Sequence, residues 1–319
     1  MIAISIVIPL FNKSQYVIAC LQSLVNSAAK TSIEYEIIVV DDCSTDGSVC
    51  LVEEYKRKVN TIKLIRLSCN GGPSLARNVG IRNSKNDYVY FLDADDFVSP
   101  DFFYFLLETI NMFPIARVFA FGICNVSESE GISFFDKVDN YPESPTLHTK
   151  YEYHRNLYDG VLIFSASSVC LHKSVFHEIG CFDEQSRYSE DAEFWARISY
   201  DNDVVINNKI LVAYRSVSGS LSHSFFHNLD HKPVLIDRLY EQSKLTKNKD
   251  VNNSFSIMFF KYLFLSRISK HKTVEELIFT KKFFRESNLK CKILSLIIFI
   301  VPSTLLKVFI RFYVFRKNK

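Results

Sequence analysis

The segment Tyr88-Val89-Tyr90-Phe91-Leu92-Asp93-Ala94-Asp95-Asp96 runs an apolar, aromatic strand straight into three carboxylates. Like charges that close repel, and each resists ionising beside the others. A hard divalent cation relieves this, because Mg²⁺ or Mn²⁺ takes oxygen ligands and shares them with phosphate. An Asp-x-Asp at the C-terminal end of a buried strand therefore fits a metal–diphosphate site. It fits equally a solvated turn whose Asp caps the helix expected from about Pro100. A second acidic run, Glu190-Asp191-Ala192-Glu193, follows Ser189. There Ser189 reads as an N-cap, and the acids suit the positive end of a helix dipole.

The elements around these acids alternate between strand and helix. The chain opens with a strand, Ile2 to Ile8, without the basic region or small-residue cleavage site of a signal peptide. Pro9-Leu10-Phe11-Asn12-Lys13 ends it, and a helix from about Ser14 carries Val17, Leu21, Leu24 and Ala28 on one face. The next strand, Tyr35 to Val40, ends in another acidic loop, Asp41-Asp42-Cys43-Ser44-Thr45-Asp46-Gly47, where Asp46 reads as a turn or cap residue. Ile62 to Leu67 is a third strand, and Asn70-Gly71-Gly72-Pro73 turns into a helix with Arg77 and Asn78. Short connections between alternating strands and helices predict an α/β fold with a mostly parallel twisted sheet. Ligands bind such sheets beyond the carboxyl ends of the strands, where Pro9–Phe11, Asp41–Asp46 and Asp93–Asp96 converge. Neither Gly-x-Gly-x-x-Gly nor a Walker lysine loop occurs, which argues against NAD enzymes and P-loop NTPases.

Four blocks together resemble the family 2 glycosyltransferases of GT-A fold. They are Ser5–Lys13, Ile38–Ser48, Gly72–Asn78 and Phe91–Asp96, in the family's order and at its spacing. The resemblance implies an inverting transferase using a nucleotide-sugar, usually a UDP-sugar, with Mn²⁺ or Mg²⁺. It places Pro9 and Phe11 in the nucleotide pocket and Asp42 on the uracil edge, and it brings Arg77 toward the nucleotide. Asp93 matches the ribose or metal-side position, and Asp95 the direct metal ligand. Gly180-Cys181-Phe182-Asp183-Glu184 followed by Glu190-Asp191 resembles the family's acceptor-side block. That match makes Asp191 the catalytic base, with Glu190 as its orienting neighbour. An acceptor hydroxyl is a poor nucleophile, so the reaction needs a carboxylate to take its proton. Tyr214 to His223 resembles the family's flexible loop, offering Arg215 as a phosphate contact and His223 as a phosphate or metal contact. The only tryptophan, Trp195, reads as core one turn beyond Asp191.

Charge is divided unevenly along the chain. Residues 226–319 hold 19 Lys+Arg and 7 Asp+Glu, whereas the whole chain has a net charge of only +3. The organisation expected is a catalytic domain at 1–225, with a nucleotide-sugar-binding half at 1–98 and an acceptor half at 99–225. A helical extension at 226–290 and a basic, apolar, membrane-associating tail at 291–319 would follow. Ile293 to Leu306 is free of charge but shorter than a span requires, so in-plane anchoring on an anionic membrane is the favoured reading. Packing onto the catalytic domain and an oligomer interface are the alternatives. The eight cysteines form no Cys-x-x-Cys pair, consistent with free thiols in a reducing cytoplasm. The basic stretches lack an organised nucleic-acid reader motif. The resulting expectation is a peripheral enzyme on the cytoplasmic face of the membrane, extending a surface polysaccharide such as an O-antigen. Its acceptor would be a glycan or a lipid-linked oligosaccharide. The rivals are a sugar nucleotidyltransferase, which would carry a glycine-rich basic N-terminal loop, and an inactive sugar-nucleotide-binding scaffold.

Overall fold

The computed structural model describes residues 2–138, 144–159, 165–186, 189–217, 233–269, 287 and 289–293. The chain divides into two compact units, one of residues 1–150 with 162–218 and the other of residues 151–161 with 219–319.

The described strands are β1 (Ala3–Leu10), β2 (Glu34–Asp41), β3 (Ile62–Arg66), β4 (Tyr88–Phe91), β5 (Phe97–Val98), β6 (Val118–Val126), β7 (Thr146–His148), β8 (Val169–His172) and β9 (Val204–Arg215). The helices are α1 (Val17–Ala28), α2 (Ser48–Lys56), α3 (Gly72–Asn83), α4 (Phe102–Met112), α5 (Glu152–Asp159), α6 (Ser174–Ile179), α7 (Glu190–Asp201), α8 (Val234–Leu245) and α9 (Lys249–Ser269).

In the first unit the strands form one sheet, ordered β3-β2-β1-β4-β8-β6-β9-β5, with β7 also paired to β9. The first four strands in that order are mutually parallel, as the alternation of elements predicts. β8 then runs antiparallel to both β4 and β6, so the chain direction is restored at β6 and at its parallel partner β9. The carboxyl ends of β4, β6 and β9 therefore share an edge.

Alternate residues of the central strands face opposite layers, as strand geometry requires. Ile4, Ile6, Ile8, Ile37 and Val39 pack with the Val17, Leu21, Leu24 and Ala28 face of α1 and with Phe102, Phe103 and Leu106 of α4. Burying each such side chain contributes about 1.5–3 kcal/mol. Ile38 and Val40 point the other way, onto Ala76 of α3. The stretch from Val126 to Asp159, which shows no sequence periodicity, contains the 3-10 turn Ile132–Lys137, β7 and α5. No disulfide links any of the eight cysteines.

In the second unit, α9 packs against both α5 and α8. His154 is buried and pairs through Nδ1 with Ser254 Oγ at 3.1 Å. Arg155 pairs with Asp250 at 3.1 Å. Among the described residues no helix is long and apolar enough to cross a membrane. Nearly all of the 291–319 tail lies outside the described residues.

Candidate active site

Parallel pairing sets the site's frame. Leu10 of β1 pairs with Asp41 of β2, which pairs with Arg66 of β3, so all three strands end level. The Asp42 N–H donates to Leu10 O at 2.8 Å just beyond that line. Tyr90 pairs with Cys170, which brings Ser167, just before β8, beside Asp93.

Each carboxylate of the Asp93–Asp96 run has its own partner. The Asp93 N–H donates to Ser167 Oγ at 3.1 Å, and the Ser167 hydroxyl donates to Asp96 Oδ2 at 2.5 Å. The Arg215 N–H reaches Asp96 Oδ1 at 2.9 Å. Asp96 is 1% exposed, and burial, reinforced by the charges of Asp93 and Asp95, pushes its carboxyl well above the usual carboxylate range. It braces the loop from inside. Asp93 takes Arg77 Nη2 at 2.7 Å. Asp95 takes the Lys13 ammonium at 2.5 Å. Burial and the Asp93 charge raise the Asp95 carboxyl, and Lys13 opposes them.

Arg77 links the two acidic clusters. Its guanidinium is buried, with Nη1 on Glu190 Oε1 at 2.9 Å while Nη2 holds Asp93. Burial disfavours this charge, but Asp93 and Glu190 more than offset it and hold Arg77 above its usual pKa. Its neighbour Asn78 donates to Phe182 O at 2.9 Å and accepts the Phe182 N–H at 3.0 Å. Consecutive residues of α3 thus tie the segments around Phe182 and Glu190 to the Asp93 loop. Arg197 fixes the far side of that turn, donating to Ile179 O at 2.8 Å and Cys181 O at 2.7 Å. Arg197 also forks onto the fully buried Glu193, which makes Glu193 a structural acid.

Ser189 departs from the expected N-cap role. It stands at the start of α7 with φ +56° and makes no side-chain cap bond. A left-handed serine there turns the chain sharply and leaves Asp191 half-buried in the first turn. Asp191 Oδ1 accepts the Ala192 N–H at 2.7 Å. Burial, then the Glu190 charge, pushes the Asp191 carboxyl up to about 6, with Arg77 pulling the other way. A carboxyl poised there suits a general base working near neutral pH.

The remaining expected residues fall as follows. Pro9 is half-buried and Phe11 is 44% exposed, so Phe11 is not core. Asp42 is buried beside Asn70, taking the Gly71 and Gly72 N–H groups at 2.8 Å each. Burial raises its carboxyl while those N–H groups lower it. Asp46 caps the turn into α2, accepting from Ser48 N at 2.9 Å and Ser14 N at 3.0 Å. Arg215 is buried and clips the loops together, donating to the carbonyls of Asp95, Glu128 and Glu130 at 2.9, 2.7 and 2.5 Å. Trp195 is core at 1% exposure. His223 lies outside the described residues.

Three participants carry no short motif of their own: Lys13, Ser167 and Asn78. Lys13 and Asn78 sit inside the quoted blocks, but their contacts span 82 and 104 positions, which local pattern does not reveal.

Asp93 and Asp95 supply hard oxygen donors, and an ammonium already stands against Asp95. The position therefore accepts a cation. Among the described residues no group of three or more His, Cys, Asp or Glu side chains is arranged to hold a metal ion. A Mg²⁺ or Mn²⁺ shared with phosphates requires only one or two protein carboxylates, so the donor set fits such an ion.

Comparison with known proteins bears on the fold and the family. S. aureus TarS 1-349 in complex with UDP-GlcNAc superposes with a TM-score of 0.65 at 20% identity, covering 92% of this chain and 84% of that one. Glycosyltransferase GlyA of Streptococcus pneumoniae serotype 4 is 30% identical over 251 residues, or 77% of this chain and 35% of GlyA. Poly(ribitol-phosphate) beta-N-acetylglucosaminyltransferase TarS of Staphylococcus aureus is 37% identical over 105 residues, or 32% of this chain and 18% of that protein. The chain thus spans about a third or less of the length of these two relatives. The family model for glycosyl transferase family 2 matches residues 5–180, more than half of the chain and all four blocks between Ser5 and Asp96, and the chain belongs to that family.

Proposed function

We propose that the protein is a metal-dependent inverting glycosyltransferase that moves a sugar from a UDP-sugar to a hydroxyl of a glycan acceptor in surface-polysaccharide synthesis. The observation that carries this reading is the chain Asp191–Glu190–Arg77–Asp93, which joins a carboxyl poised near 6 to the acidic edge of a parallel sheet. Asp191 takes the proton of the acceptor hydroxyl as its oxygen bonds to the anomeric carbon. The bond from that carbon to the diphosphate breaks in the same displacement, inverting the centre and releasing the nucleoside diphosphate. Asp95 and Asp93 would hold Mn²⁺ or Mg²⁺, which supplies positive charge for the departing diphosphate. Pro9, Phe11 and Asp42 line the level strand ends where the nucleoside would lie. The UDP-GlcNAc bound to the S. aureus TarS fragment supports a uridine donor. The acceptor would be lipid-linked, presented at the inner face of the membrane where the basic C-terminal segment would hold the enzyme.

Thermal unfolding with UDP-, GDP-, CMP- and dTDP-sugars, each with and without Mn²⁺, tests the donor. Stabilisation grows with ligand concentration over the dissociation constant. A Mn²⁺-dependent rise with one UDP-sugar is expected. Stabilisation by a sugar 1-phosphate plus nucleoside triphosphate instead would favour a nucleotidyltransferase, and no response to any nucleotide would sink the donor reading.

A further inference from the structure

Three cationic side chains meet the Asp93–Asp96 loop, and two are locked. Arg77 is buried between Asp93 and Glu190. Arg215 is buried and holds main-chain carbonyls through Nε and Nη1. The loop's own Asp96 is sealed inside by Ser167 and the Arg215 N–H. Lys13 is the exception. Its side chain is 23% exposed, ends in an ammonium on a flexible stem, and has its nitrogen against Asp95 Oδ2.

The main chain beneath Lys13 is rigid. The Lys13 N–H donates to Ser48 Oγ at 2.9 Å, and the Asn12 N–H donates to Ser44 Oγ at 3.0 Å. Asn12 itself sits at φ +51°, with its side-chain oxygen accepting from Thr45 N at 2.8 Å. A fixed base with a mobile charged tip restricts Lys13 to a short arc over the strand ends. In its observed position Nζ stands 5.9 Å from the centroid of the Tyr16 ring.

An ammonium and a divalent cation compete for one carboxylate, because bare Asp95 beside Asp93 is the state that electrostatics disfavours most. A diphosphate brings new negative charge to the same place. We propose that Lys13 is an exchange cation: it neutralises Asp95 while the donor site is empty, cedes that carboxylate to the metal, and contacts the diphosphate in return. This deepens the proposed function and rests on its metal–diphosphate site. The consequence is ordered loading, with metal and nucleotide favoured together and metal alone disfavoured.

The test is Lys13→Met, which keeps the stem and removes the charge, with Lys13→Arg as the cation-retaining control. Mn²⁺ binding to the full chain is read by electron paramagnetic resonance without nucleotide, and UDP binding by calorimetry with saturating Mn²⁺. Lys13→Met is expected to bind Mn²⁺ alone severalfold more tightly and UDP severalfold more weakly, with Lys13→Arg close to wild type in both. If Lys13→Met leaves Mn²⁺ affinity unchanged or weaker, Lys13 does not compete for Asp95. If UDP affinity is retained, it does not pass to the diphosphate, and either result overturns the exchange. Folded state is read from circular dichroism, and Lys13→Gln replaces Lys13→Met if the latter does not fold. Wild-type protein that binds no UDP with Mn²⁺ would instead refute the underlying donor site.

Discussion

Asp191 sits between two opposed charges, and that balance makes its role measurable. Burial and the Glu190 carboxylate raise its pKa to about 6, while Arg77 lowers it. A base must be deprotonated to accept a proton, so kcat/KM should rise with pH through an apparent value near 6 and level off above it. The two carboxyls interact, so the observed value belongs to the pair. Replacing Glu190 with Gln removes a negative neighbour and should move that limb to lower pH. The opposite shift would mean that Glu190 acts mainly by anchoring Arg77. Asp191→Asn should leave UDP-sugar binding near wild type while turnover falls by roughly 10²–10⁴-fold, the usual contribution of a positioned acid or base. Persistent turnover would show that another group takes the proton. Asp93, Asp95 and Asp191 stand out in the sequence because each lies in a short local pattern, and the structure links their two clusters through Arg77. Lys13 does not, although it sits in one of those patterns, because its meaning depends on a contact with Asp95 made only in the folded chain. The family resemblance makes Arg215 a phosphate contact, and in the folded chain its Nε and Nη1 also hold carbonyls of two separate loops, a role that no local pattern shows.

At the level of elements, α3 holds the site together. Arg77 and Asn78 lie on its buried face and reach Asp93, Glu190 and Phe182 at once. Gly80, one turn on, allows that close approach: a Cβ there would fall 2.2 Å from Val7 Cγ1, on a fully buried residue of β1. Gly80→Ala should therefore lift α3 from the sheet and destabilise the protein by about 1–3 kcal/mol, the typical penalty of overpacking a core. Because α3 carries Arg77, the variant should also weaken UDP binding, whereas exposed substitutions in α2 should not. Chemical denaturation and calorimetry decide this, and wild-type stability in the alanine variant would show that the helix is not seated tightly. The parallel half of the sheet was readable, since each strand is an apolar run closed by turn residues. In the other half, β5, β6 and β9 were not. β5 has two residues, and β6 and β9 are joined through a register shift at Gly122, where carbonyls of Asn208 and Lys209 crowd the position a side chain would take. Pairings of that kind are decided by tertiary contacts rather than by local pattern.

For the whole molecule, the separation of charge along the chain is the property that the proposed function uses. Residues 226–319 carry a strong excess of Lys and Arg, and positions 294–319 hold five basic residues and no acidic one among leucine, isoleucine, valine and phenylalanine. Each basic side chain near an anionic bilayer contributes about 1 kcal/mol of attraction, and apolar neighbours add burial in the headgroup region. A lipid-linked acceptor would then be met in two dimensions rather than by free diffusion. The full chain should co-sediment with vesicles containing phosphatidylglycerol and not with pure phosphatidylcholine, and moderate salt should weaken the association. Changing Lys307, Arg311, Arg316, Lys317 and Lys319 together to Gln should release most of the protein while leaving UDP-sugar binding intact. Removing residues 294–319 should release it completely. If the Gln variant stays bound at high salt, apolar insertion is the main force. If the full chain ignores anionic vesicles while the truncated chain unfolds, the tail belongs to the protein core and the membrane role is wrong.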